Sequence, residues 1–224
     1  ADILVSAVRT LPDAVEFDVA GLAGERHVRV GALIGAHMAL NAAAALGMAA
    51  HIGLDLDTVV GAWAGFGGVH RRFESHGEGG GVRVYDDYAH HPTEIAATLT
   101  AARGAAGEGR LIAVFQPGTY SRTQTFAREF AQALALADIA VVMDIFPARE
   151  EPIPGVTGAT ISELIALPPS RVILEPRFAA LPERVAAVAG PGDLVVTMGI
   201  GNVYLLCDDI RAACARAANR GVPT

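Results

Sequence analysis

Apolar and polar positions change their spacing along the chain, and each change marks a different kind of structure. Over 2–8, 14–21 and 26–33 ("DILVSAV", "AVEFDVAG", "RHVRVGAL") they alternate, most clearly in "VEFDV" and "HVRV". A period of two turns every second side chain to one face, so half-buried antiparallel strands are expected, joined by short polar or glycine turns. From 36 to 51 the chain reads "AHMALNAAAALGMAAH", whose alanine content and apolar spacing predict a helix. "DLDTVVGAWAGF" (55–66) predicts a second short helix capped by Asp55 or Asp57. Glycines at 67, 68, 77, 79, 80 and 81 mark "GGVHRRFESHGEGGGVRV" as a linker followed by a hairpin.

From 82 onward apolar strands alternate with amphipathic helices. Strands are expected over 82–88, 110–116, 139–146, 171–175 and 193–199, and helices over 92–104, 121–137, 158–167, 177–190 and 203–219. That rhythm predicts an α/β domain with a mainly parallel sheet covered by helices on both faces. Ligands bind such sheets beyond the carboxyl ends of the strands, which nominates "DDYAHHP" (86–92), "QPGTYSRT" (116–123), "DIFPAREEPIPG" (144–155) and "MGIGN" (198–202). Residues 1–70 offer a few strands and two helices, thin for a core of their own, and are expected to be the end of a larger domain that begins upstream.

Composition narrows the function classes. Apolar residues make up 52% and charged residues 18%, enough for a packed core and unlike a disordered chain. The net charge of -7 argues against a nucleic-acid partner, which needs clustered Lys and Arg. No apolar run approaches the ~18 residues of a membrane span, and no signal peptide is visible. Cys207 and Cys214, seven apart in a helix-like segment, are too far apart for an unstrained local disulfide, so reduced thiols and a cytoplasmic location are expected. All seven histidines lie at or before position 91, so histidine chemistry belongs to the first part and its junction with the second.

The candidate chemistry gathers in "DDYAHHP". In an extended strand Asp86 and Asp87 point to opposite faces, as do His90 and His91, so no shared metal site is expected. Pro92 and Thr93 read as the start and cap of a helix. Those needs leave unexplained why acidic and imidazole groups collect at a strand end, and a site would explain it. Arg122 falls in a first helical turn, where the dipole disfavours a cation; an anion to bind or a surface ion pair would each account for it. The two glycines of "MGIGN" suit a tight turn as well as a close ligand. Arg71 and Arg72 suit a solvated pair more commonly than a phosphate grip. His37 and Asn41, at i and i+4 on one helix face, can hydrogen-bond a flat heterocycle, although a cap or core bond is commoner. No G-x-x-x-x-G-K-[ST] phosphate loop, internal repeat or Ser-His-Asp arrangement is present.

Order and spacing are more specific than any one motif. "G-x-H-x-x-x-N-A-x-A-A", "F-x-G-V-x-R-R-F-E", "DDYAHHPTE", "FQP-x-x-YSRT" and a strand ending in "MG-x-G" together resemble the Mur ligase family of peptidoglycan synthesis, across essentially the whole chain. "DDYAHHPTE" and "YSRT" resemble its alanine-adding branch. The resemblance implies that residues 1–70 end a central ATP-binding domain and residues 71–224 form a C-terminal Rossmann-like domain. It implies ATP-dependent amide formation through an acyl phosphate, joining L-alanine to UDP-N-acetylmuramate. ATP and Mg would be bound mainly by an upstream part, so the chain alone is expected to be inactive. By the same resemblance His37 and Asn41 flank adenine, Arg72 approaches the phosphates as a catalytic group, and Asp87 holds the ribose hydroxyls. Tyr88, His90 and Arg122 surround the incoming alanine, His90 also as a catalytic group and Arg122 as partner of the alanine carboxylate. Met38, Gly118, Thr119 and Asn202 depart from the family pattern. Met38, Gly118 and Asn202 motivate a second reading, a ligand-binding or interaction module without ligase chemistry; a third, within ligases, is a tripeptide-attaching relative.

Overall fold

The computed structural model describes residues 2–11, 14–33 and 35–220. The chain divides into two compact units, Ala1–His70 and Arg71–Thr224.

In the first unit β1 (Ile3–Thr10), β2 (Ala14–Gly21) and β3 (Arg26–Gly31) form an antiparallel sheet in that order. The expected alternation is present. Val15, Phe17, Val19, Val28 and Val30 turn to a core shared with Met38, Ala39, Ala42, Ala43 and Leu46 of helix α1 (Ala36–His51). On the other face Glu16 pairs with Arg9 and Arg29, and Asp18 with His27, across the strands. Helix α2 (Leu56–Trp63) is capped by Asp55, which accepts from the Asp57 N–H. Leu40, Met48, Ile52 and Leu54 remain exposed.

The second unit is a six-stranded sheet in the order β4-β5-β9-β6-β7-β8: Glu74–Gly79, Val82–Asp87, Leu194–Met198, Leu111–Phe115, Ile139–Val142 and Val172–Leu174. β4 pairs with β5 as an antiparallel hairpin, and every other pairing is parallel. The central strands are buried on both faces, as their continuous apolar runs require. Val84, Ile112, Val114, Val141 and Val195 pack with α7 (Leu181–Ala186) and α8 (Cys207–Arg220). Phe115 meets Phe130 of α5 (Ala127–Leu134) at 5.1 Å between ring centroids, beside α3 (Pro92–Ala106).

Several expected helices are shorter or broken, and the one over 203–219 opens as a 3-10 turn (Val203–Leu206) before α8. The 121–137 segment divides at Phe126 into α4 (Tyr120–Thr125) and α5, because Phe126 leaves the helical region at φ -111, ψ 20. The 158–167 segment keeps only α6 (Ala159–Ser162) before Pro168 and Pro169, which the preceding chain must meet extended. In 177–190 a turn at 178–180 precedes α7, whose first turn holds Pro182. Cys207 and Cys214 are free and buried in α8, with burial pushing the Cys207 thiol up to about 12. No helix among the described residues is long and apolar enough to cross a membrane.

Candidate active site

β5 delivers its two aspartates into different surroundings. Asp86 is fully buried; its Oδ2 accepts from Arg71 Nε at 2.9 Å and its Oδ1 from the Thr197 hydroxyl at 2.6 Å. Asp87 accepts from the Phe73 N–H at 2.9 Å and the Ala89 N–H at 2.8 Å, one bond to each oxygen. Burial raises the Asp87 pKa above the ordinary carboxylate value, against the pull of those two N–H groups and of Arg72.

The paired arginines are not a solvated pair. Arg71 is buried against Asp86, donates from Nη2 to the Gly199 carbonyl at 2.7 Å, and lies 4.1 Å from the Tyr204 ring centroid. Asp86 supplies the opposite charge that makes this burial tolerable. Arg72 is only partly buried, lies 5.7 Å from the Tyr88 ring centroid, and makes no salt bridge among the described residues.

Tyr88 and His90 meet edge to face at 5.1 Å. His90 Nδ1 lies 2.8 Å from the Tyr88 carbonyl oxygen. A carbonyl only accepts, so Nδ1 carries a proton, and Glu94 Oε2 also stands 3.4 Å from it; when the ring is neutral, Nε2 is the acceptor. Glu94 Oε2 accepts from the His90 and His91 N–H groups at 3.0 and 3.1 Å, while His91 Nδ1 accepts from the Thr93 N–H. This is a reciprocal cap. The cap expected from Thr93 therefore belongs to His91, because the chain is still extended there and Pro92 is the first helical residue. Burial opposes the charge on Glu94, but the His90 N–H and ring, the His91 N–H and Arg72 together hold its pKa below the usual value.

The loop after β6 reaches this one through the His91 and Phe126 rings, 5.2 Å apart. Gln116 ties it to the β9 loop, donating to Asn202 Oδ1 at 3.1 Å and accepting from the Val203 N–H at 3.0 Å. The β9 glycines are required by close packing: a Cβ on Gly199, where φ is 145, would stand 2.4 Å from the Gln116 carbonyl oxygen. A Cβ on Gly118 would stand 2.2 Å from Ile200 Cγ2. Thr119 caps α4, and Glu150 accepts from both the N–H and the hydroxyl of Ser121. Arg122, in α4, keeps a buried Nη1 with no hydrogen-bond partner. A buried guanidinium nitrogen without an acceptor is costly, and an incoming anion relieves that cost.

Arg72, Asp87, Tyr88 and His90 thus gather at the end of β5, with Arg122 in α4 after the β6 loop. His37 and Asn41 lie one turn apart on α1 in the other unit, His37 half-buried and Asn41 exposed. Among the described residues no group of three or more His, Cys, Asp or Glu side chains is placed to hold a metal ion.

Residues 71–201 match the family model described as Mur ligase, glutamate ligase domain. The chain belongs to the Mur ligase family. The UDP-N-acetylmuramate–L-alanine ligase of Mycobacterium sp. (strain JLS) is 52% identical over 208 residues, covering 92% of this chain and 42% of that protein. The same-named ligase of Saccharopolyspora erythraea is 54% identical over 185 residues, covering 83% of this chain and 38% of that protein. The chain thus spans about two-fifths of the length of these curated Mur ligases. Among solved Mur ligases, the UDP-N-acetylmuramate-alanine ligase of Thermotoga maritima superposes with a TM-score of 0.75 at 22% identity, over 98% of this chain and 46% of that one. These likenesses agree with the Mur ligase resemblance and the α/β sheet expected from the sequence.

Proposed function

We propose that this chain is the part of an ATP-dependent UDP-N-acetylmuramate–L-alanine ligase that presents the amino acid and one side of the nucleotide. The observation that carries the reading is the buried, acceptor-free Nη1 of Arg122 beyond the carboxyl ends of the strands, a position suited to the alanine carboxylate. The identity to ligases of that name supports it. In the reaction the muramate carboxylate is activated as an acyl phosphate by ATP, and the alanine amine displaces phosphate. Arg122 holds the alanine carboxylate, and Tyr88 lines the same place. His90 offers Nε2 as acceptor for an amine proton. Each Asp87 oxygen already holds one N–H and retains a lone pair for a ribose hydroxyl. Arg72, held over Tyr88 without an ion pair, faces phosphate charge as a catalytic group. Residues 1–70 are the end of the ATP-binding domain, with His37 and Asn41 on the adenine side, and 71–224 form the C-terminal domain. In this reading Mg accompanies ATP and would be held mainly by the part of the enzyme upstream of these residues.

Phosphate release with ATP, UDP-N-acetylmuramate and L-alanine tests this in the protein's complete reading frame. Arg122→Ala should raise the alanine KM at least about tenfold with little change in the ATP KM, and Asp87→Ala should do the reverse. Equal effects on both substrates would refute the division of roles. Robust turnover by the 224-residue chain alone would refute its dependence on an upstream part.

A further inference from the structure

Arg71, which the ligase reading assigns no contact with any substrate, joins more of the candidate site than its neighbour does. Its backbone takes the left-handed region at φ 59, and Phe73 does so at φ 49. Non-glycine residues adopt that region only when their surroundings compel it. Here the compulsion is visible. The Arg71 N–H donates to Glu74 Oε2 at 2.8 Å, and its carbonyl accepts from the Tyr88 N–H at 2.7 Å. The Phe73 N–H is held by Asp87. Arg72 is therefore carried between two residues anchored to the end of β5. The Arg71 side chain reaches the third partner, the β9 loop: Nε binds Asp86, Nη2 the Gly199 carbonyl and Nη1 the Gly201 carbonyl at 3.4 Å. Its guanidinium carbon lies 4.9 Å from the Tyr88 ring centroid and 4.1 Å from that of Tyr204.

We infer that Arg71 is a positioning residue: its planar fork fastens the β9 loop to the end of β5 and so fixes where Arg72 and Tyr88 stand. The inference rests on the ligase reading for its catalytic consequence, but not for the fastening itself. A planar guanidinium can serve a carboxylate and two carbonyls at once, whereas a lysine ammonium is a single point of charge on a flexible stem.

Arg71→Lys therefore separates charge from geometry. It leaves a cation for buried Asp86, so the unit folds, but it cannot reach both carbonyls. Amide hydrogen exchange on the 224-residue chain should show Tyr88 and Val203 exchanging at least about tenfold faster, with Ile112–Val114 unchanged. Unchanged exchange at Tyr88 and Val203, or a uniform rise across the unit, would overturn the fastening. In the complete reading frame the same variant should lower kcat about ten- to a hundredfold while the alanine and ATP KM values move less than about threefold. A pure loss of folded protein would instead appear as a lower active-site titre at unchanged turnover per active site, and would overturn the positioning role. If the wild-type protein shows no ligase activity, the ligase reading fails while the exchange result still decides the fastening.

Discussion

At the scale of single residues, two neighbouring carboxylates respond to pH in opposite senses. Glu94 has a depressed folded-state pKa, so its contribution is fully present above its ordinary value of 4.5 and is lost as pH falls through the folded value. Asp87 has a raised pKa, so its charge weighs against the fold at neutral pH and that burden lifts as the group takes up a proton. Glu94→Gln should cost about 0.5 kcal/mol at pH 7, a modest figure because the side chain is part-exposed and screened. Denaturant midpoints of variant and wild type should converge as pH drops below 4.5; a gap independent of pH would exclude the charge as its source. The aspartate pair also shows what one sequence could not resolve. Alternation correctly separated Asp86 from Asp87, but the partner of Asp86 is fifteen positions earlier, beyond any local pattern. Arg71 looked like half of a charged dipeptide because nothing local reports the carbonyls of Gly199 and Gly201.

At the scale of elements, the loops beyond the strands interlock, and the fit can be probed through Gly118. Alanine there collides with Ile200, so Gly118→Ala should destabilise the chain by about 1–3 kcal/mol, and adding Ile200→Ala should return most of that loss. Thermal or urea unfolding of the four-member cycle measures it; additive losses would place the strain elsewhere. The strand-helix rhythm was legible because apolar strands buried on both faces must be continuous, and β6, β7 and β9 are. The breaks in the helices were not. "SRTQTFAREFAQALALA" contains no proline or glycine, and its division at Phe126 accompanies a ring contact with His91 from another loop. His91 likewise became the α3 cap through local geometry that Thr93, by type alone, appeared better suited to provide.

At the scale of the whole molecule, each unit has its own core. Residues 71–220 expressed alone should melt cooperatively, with a midpoint within about 5 °C of the corresponding transition in the longer chain. Circular dichroism checks this, and a broad, non-cooperative melt would show that the second unit borrows stability. The first unit packs a fuller core than was expected of residues 1–70, around Phe17, Val28 and Leu46, while Leu40, Met48, Ile52 and Leu54 stay exposed.

The borders of the six-stranded sheet have a consequence for life at high protein concentration. An open sheet ends in unpaired amides and carbonyls that can recruit a strand from another molecule. One border here is β4, a glycine-rich ribbon whose register shifts between Ser75 and Glu78, with Gly79 so close to α8 that a Cβ would stand 2.1 Å from the Arg211 carbonyl oxygen. The other is β8, three residues long. Neither is a straight, continuous template, so a sheet with so apolar a centre can remain separate from its neighbours in a crowded solution.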